Sequence, residues 1–139
     1  MSRSLFATGL WLILFLVGCR SAPSDLPEIA PVSGTVLLNG QPLPNAAIRF
    51  QPESGRVSIG ETDASGHYSL QYNDTTPGAK IGSHKVSITT YRDNSIPGDI
   101  NSPPAPELLP PRYHEQTELT AEVQPGKNTI NFNLESNRK

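Results

Sequence analysis

The stretch Val32-Ser33-Gly34-Thr35-Val36-Leu37-Leu38-Asn39-Gly40-Gln41-Pro42-Leu43-Pro44-Asn45-Ala46-Ala47-Ile48-Arg49-Phe50-Gln51 decides the fold class. Val32, Gly34, Val36 and Leu38 fall on one face of an extended chain, and Ala46, Ile48 and Phe50 on one face of the next run. Period two is the pattern of a strand with one buried side. Between the runs stands Asn39-Gly40, the dipeptide that most readily takes the two positive φ values of a tight hairpin turn. Pro42 and Pro44 prolong the connection.

The same pattern continues to the C-terminus. Arg56–Thr62 is expected to turn Val57 and Ile59 inward. His67–Tyr72 alternates Tyr68, Leu70 and Tyr72 with His67, Ser69 and Gln71. His84–Tyr91 carries Val86 and Ile88 inward, and Glu118–Val123 carries Leu119, Ala121 and Val123. Thr129–Glu135 carries Ile130, Phe132 and Leu134, with Asn131 and Asn133 outward. Asp63-Ala64-Ser65-Gly66 and Gln124-Pro125-Gly126-Lys127-Asn128 have turn chemistry. Seven runs, each with one apolar face, predict an all-β chain. Clean alternation favours antiparallel sheets with one wet face, packed face to face so that every apolar face is covered. A single seven-stranded antiparallel β-sandwich over residues 32–139 is the expectation.

Upstream, Arg3 precedes an apolar run from Leu5 to Val17. As a helix it would span about 20 Å, short of the roughly 30 Å of a bilayer core and suited to the apolar part of an export signal. The run ends in Leu16-Val17-Gly18-Cys19, which resembles the lipobox of bacterial lipoproteins. The resemblance implies a signal peptide over residues 1–18, cleavage between Gly18 and Cys19, and acyl chains such as palmitate on Cys19. Two or more chains anchor a protein stably where one does not. Residues 19–31 hold three prolines without periodicity and are expected to form a lipidated N-terminus and flexible tether. The partner this implies is the membrane itself, and the location is the cell envelope, periplasmic or at the cell surface.

Composition narrows the rest. Removing the signal leaves roughly 120 residues, room for one domain. The formal charge of the whole chain is −2, and loss of Arg3 takes the mature chain to about −3, which is no footprint for nucleic acid. Pro (14) and Gly (11) lie mostly between the apolar runs, so they mark turns and not disorder throughout. The chain has 1 cysteine, so no intramolecular disulfide forms and packing alone must hold the domain.

Three segments together resemble carboxypeptidase regulatory-like domains, which have a transthyretin-like (prealbumin-like) fold. These are Val32–Ala46 with its Gly34-Thr35-Val36 and Gly40-Gln41-Pro42-Leu43, then Thr62–Leu70, then Gly82–Ile88. Leu109–Tyr113, Leu119-Thr120 and Gly126–Asn128 resemble the tail of small bacterial lipoproteins that carry this domain alone. The resemblance covers about residues 32–135 and implies a non-catalytic module. The same fold hosts 5-hydroxyisourate hydrolase, but the chain ends Ser136-Asn137-Arg138-Lys139 and lacks the Tyr-Arg-Gly-Ser type of ending that enzyme carries.

No constellation for catalysis stands out. A zinc site needs three or four converging ligands, usually with one short spacing; His67, His84 and His114 are widely spaced and no second cysteine exists. His67 and His84 are expected on solvated strand faces. Asp63, Asp74, Asp93 and Asp99 offer oxygen ligands on loops, but in no calcium-loop spacing, and Asp63 is expected to form a turn. Serines are numerous without a Gly-x-Ser-x-Gly elbow. No enzyme, metal or cofactor is therefore expected. The long proline-rich run 92–117 is the candidate partner-binding loop. Loops of that length are usually functional or disordered, and Arg112, Tyr113 and His114 are candidate contact residues. The alternative is a strap that covers a sheet edge with Tyr113 packed on the sandwich. The expected function is a lipid-anchored binding or structural module for a protein or glycan. The second reading is an accessory subunit of an envelope transport or secretion complex that docks through 92–117, and the third, ranked below both, is an enzyme of unknown reaction.

Overall fold

A computed structural model describes residues 26–93 and 103–136. Gly18 and Cys19, with the signal segment, lie outside the described residues.

The described chain is all-β, and its only helical element is the 3-10 turn Pro111–Tyr113. In chain order the strands are β1 (Ile29–Ala30), β2 (Val32–Leu38), β3 (Gln41–Pro42), β4 (Ala47–Pro52), β5 (Ser58–Glu61) and β6 (His67–Ser69). There follow β7 (Ala79–Lys80), β8 (Gly82–Thr89), β9 (Thr120–Val123), β10 (Asn128–Thr129) and β11 (Phe132–Leu134). One sheet has the order β5-β4-β8-β9. The other is built around β2, flanked on one side by β3 and β6 and on the other by β10 and β11. A small pair, β1 with β7, completes the set.

The inward side chains of both large sheets form one core: Val32 and Val36 of β2, Ile48 and Phe50 of β4, Tyr68, Val86 and Ile88, Val123, Phe132 and Leu134. Phe50 of the first sheet meets Phe132 of the second edge-on at 6.2 Å between ring centroids. Burying each such side chain contributes about 1.5–3 kcal/mol, which makes this core the main source of stability in a chain without a disulfide.

The Asn39-Gly40 turn forms as expected. Its two residues have φ of 51° and 80°, and Leu38 pairs with Gln41 across it. The Asp63 turn also forms: Asp63 Oδ1 accepts from the Ser65 backbone and hydroxyl at 2.9 and 2.7 Å and from His67 N at 3.0 Å. At Gly34 the absence of a side chain is used directly. A Cβ there would stand 1.8 Å from the Ile130 carbonyl oxygen and 3.0 Å from the Tyr68 ring. Tyr68 lies opposite Gly34 on β6, and its hydroxyl donates to the same Ile130 carbonyl at 2.7 Å. Burial pushes the Tyr68 phenol far above its usual pKa, so it remains a donor.

Four expectations need correction. Val57 and Ile59 do not point inward: Ser58 is fully buried and Ile59 is 50% exposed. The cause is register. Phe50 pairs with Ser58 and Thr62 follows Ala46 across the ladder, so the inward face of β4 dictates the parity of β5. Thr62 is likewise buried, and its Oγ1 accepts from Ala46 N at 2.8 Å. His84 is not solvated but 3% exposed, on the same face as Val86 and Ile88. The sheets are not wholly antiparallel, because β10 and β11 both run parallel to β2. Alternation reports which face is buried and is silent on strand direction. Finally, Ile29–Ala30, placed in the tether, pair with Ala79–Lys80, and Ala30 is buried.

Candidate functional site

The candidate loop leaves β8 at one end of the molecule and returns as a strap. Its anchor is Glu107. Oε1 accepts from Thr90 N at 3.1 Å, Thr90 Oγ1 at 3.0 Å and Leu109 N at 3.1 Å, while Oε2 accepts from the Thr89 hydroxyl. The Thr90 hydroxyl also accepts from Leu108 N at 2.7 Å. Burial works to raise the Glu107 pKa, but the donors from Thr89, Thr90 and Leu109 outweigh it and hold the carboxyl below its ordinary value. Arg92 and Ala105 close the base of the loop with a reciprocal pair of backbone bonds at 3.0 Å.

Beyond Glu107, the strap turns its large side chains inward. Leu109 and Tyr113 join the core. The Tyr113 hydroxyl accepts from Glu135 N at 3.0 Å, and Arg112 donates to the Glu135 carbonyl at 2.8 Å while its guanidinium lies 4.9 Å over the Tyr113 ring. His114 Nε2 donates to the Leu109 carbonyl at 3.0 Å and lies 3.9 Å from Glu107 Oε2. The Thr117 hydroxyl then bonds the Val86 carbonyl, where β9 begins to pair with β8. The free edge of β8 is thus met first by β9 and then, at Val86 and Thr90, by the strap. This is a standard way to protect a sheet edge.

Of the three expected contact residues, Tyr113 is therefore buried, and Arg112 and His114 are half-buried and engaged within the chain. Among the described residues, the large apolar side chains this end offers to solvent are others: Tyr91 and Leu108, each 58% exposed. Neither was singled out in the sequence, where Tyr91 closes an alternating run and Leu108 adjoins Leu109, contexts that carry no signal of exposure. Glu107 was also missed, since its role depends on hydroxyls that only the fold brings near.

A second feature lies at the opposite end, on the outer surface of the first sheet. Gln51, Glu53, Ser83, Lys85 and Thr120 line an open groove of about 420 Å³. Gln51, Lys85 and Thr120 stand in one cross-strand row, and Ser83 donates to Glu122 at 2.6 Å beside it. His84 sits beneath with its ring 5.6 Å from that of Phe50. Its Nε2 donates to the Lys80 carbonyl at 2.6 Å, since a carbonyl oxygen only accepts. Nδ1 is buried without a hydrogen-bond partner among the described residues. His67 is exposed on the other sheet, and among the described residues no three His, Cys, Asp or Glu side chains come together as a metal site. Glu107, Thr90, Arg112, Tyr113 and His114 each make an internal hydrogen bond through the side chain, an arrangement suited to holding a shape.

No protein-family profile, curated protein or solved structure matches the chain.

Proposed function

We propose that the chain is a lipid-anchored, non-catalytic β-sandwich of the bacterial cell envelope, serving as a binding or structural module for a protein or glycan. The observation that carries this reading is Leu16-Val17-Gly18-Cys19 at the end of a short apolar run. In this reading Cys19 bears the acyl chains and the membrane is the permanent partner. The first sheet residues come at Ile29, so about ten residues separate lipid and domain, a reach of roughly 30 Å when extended. Two large sheets sharing one core support the sandwich, and the order of the Gly34, Asn39-Gly40 and Asp63–Tyr68 segments supports its transthyretin-like, carboxypeptidase regulatory-like kind.

Metabolic labelling with an alkyne-bearing palmitate tests the anchor. The native chain takes up label and the Cys19→Ser variant takes up none; an unlabelled native chain in a labelled envelope overturns the reading.

A second reading, an accessory subunit docking at the 92–117 end, is favoured by Tyr91 and Leu108, both exposed and each next in sequence to a residue of the Thr90–Glu107 clamp. Affinity capture from cross-linked envelopes separates the two readings. A stoichiometric protein partner lost in a Tyr91→Ser, Leu108→Ser variant supports the accessory subunit.

A further inference from the structure

The first sheet has two edges, β5 and β9. At β5, the outward backbone groups of Ile59 are paired: Ile59 N bonds the Gln71 carbonyl at 3.0 Å, and Gln71 N bonds the Ile59 carbonyl at 2.8 Å. At β9 the edge is open. Val86 N bonds the Leu119 carbonyl at 2.9 Å, which fixes the phase of the β8–β9 ladder. In an antiparallel pair, bonded and non-bonded positions alternate. Ala121 and Val123 therefore face β8, and the N–H and C=O of Thr120 and Glu122 face away from it. No hydrogen bond to those four groups is made from the described residues, and both side chains are exposed.

We propose that β9 is a homodimer interface, pairing antiparallel with β9 of a second copy to make one continuous sheet across the two molecules. The choice of occupant rests on charge and register. The outward groups of Thr120 and Glu122 must bond one another's counterparts, which allows registers differing by steps of two residues. In one of them Glu122 opposes Glu122 of the second copy, and in another Glu118 opposes Glu122. Directly opposed like charges destabilise a sheet. The register between these sets Thr120 against Glu122 twice, with Ala121 on the two-fold axis. It forms four backbone hydrogen bonds. On the inner face it sets Leu119 against Val123, extending the apolar row. On the outer face it continues the row Gln51, Lys85, Thr120 with the partner's Glu122, so each Lys85 ammonium lies one strand away from a carboxylate of the other copy. The edge has a single self-complementary register, which a strand built only to repel neighbours lacks.

This inference stands apart from the anchor and is tested on the full chain in mild detergent. Sedimentation velocity across a concentration series is expected to show a monomer–dimer equilibrium. Thr120→Pro removes one outward N–H where proline is tolerated on an edge strand, and is expected to weaken the dimer by tenfold or more while the circular dichroism spectrum holds. As a check that does not depend on that variant folding, Ala121→Cys places two sulfurs at the two-fold axis. Non-bonded antiparallel pairs lie about 4.5 Å apart at Cα, within disulfide reach. Mild oxidation is expected to give a dimer whose cross-linked peptide joins residue 121 to residue 121. A chain monomeric at every concentration, or a dimer indifferent to Thr120→Pro that forms no 121–121 cross-link, overturns the inference.

Discussion

Gly34 and Tyr68 show how much a single position carries. The ring of Tyr68 occupies the space a side chain at Gly34 would take, and its hydroxyl reaches the Ile130 carbonyl between β10 and β11. One glycine on β2 thus lets β6 bond the link between β10 and β11. Gly34→Ala is expected to cost about 3 kcal/mol, at the upper end for forced overpacking, because the clash is with backbone. Tyr68→Phe removes only the hydrogen bond and is expected to cost about 1 kcal/mol. Urea denaturation of both variants checks the order; equal losses would mean that the hydroxyl and not the space is decisive. Glu107 adds a pH dependence. Its pKa is lowered by folding from an ordinary value of 4.5. A lowered carboxyl contributes stability above its unfolded pKa, and that contribution is lost as pH falls through the folded pKa. The melting temperature is expected to fall from about pH 5 downward, and more gently in Glu107→Gln. Asp63, held low by the Ser65 hydroxyl and the His67 and Ser65 backbone, acts in the same acid range, so the informative quantity is the difference between the two chains.

Among the elements, the strap contains most of what local pattern could not reveal. Strands β2, β4, β6, β8 and β11 were legible because each buries alternate residues, and inward Val36, Phe50, Tyr68, Val86 and Leu134 follow from parity alone. Parity misled at β5, where Ile59 is the more apolar residue but Phe50 selects Ser58 as its partner. It also places His84 inward with Val86, and a polar ring is stable there because the chain bends back through Lys80 and Gly82 to supply a carbonyl. The strap has no period to find. It is held by Glu107 on two threonines and by Tyr113 on Glu135, contacts between residues far apart in sequence. Tyr113→Ala is expected to lower stability by about 3 kcal/mol and to expose the β8 edge, read as faster hydrogen exchange at Val86–Thr90. Unchanged exchange there would separate the strap from edge protection.

At the scale of the whole molecule, the described domain is a self-contained core whose first sheet has an edge at β5 that is paired at Ile59, a strap on β8 and an open edge at β9. What it binds was not legible in the sequence, because binding depends on which residues the fold leaves outside, and Tyr91 and Leu108 became visible only when Tyr113 and Leu109 were seen to turn in. The anchor is the opposite case: it is a local signal read from four consecutive residues. The most direct test of the proposed lipoprotein is therefore the mass of the N-terminal peptide of protein extracted from membranes. The account predicts a peptide that begins at Cys19 and carries a diacylglyceryl group on sulfur. A peptide that begins at Met1, or one that holds Cys19 as a free thiol, would contradict it.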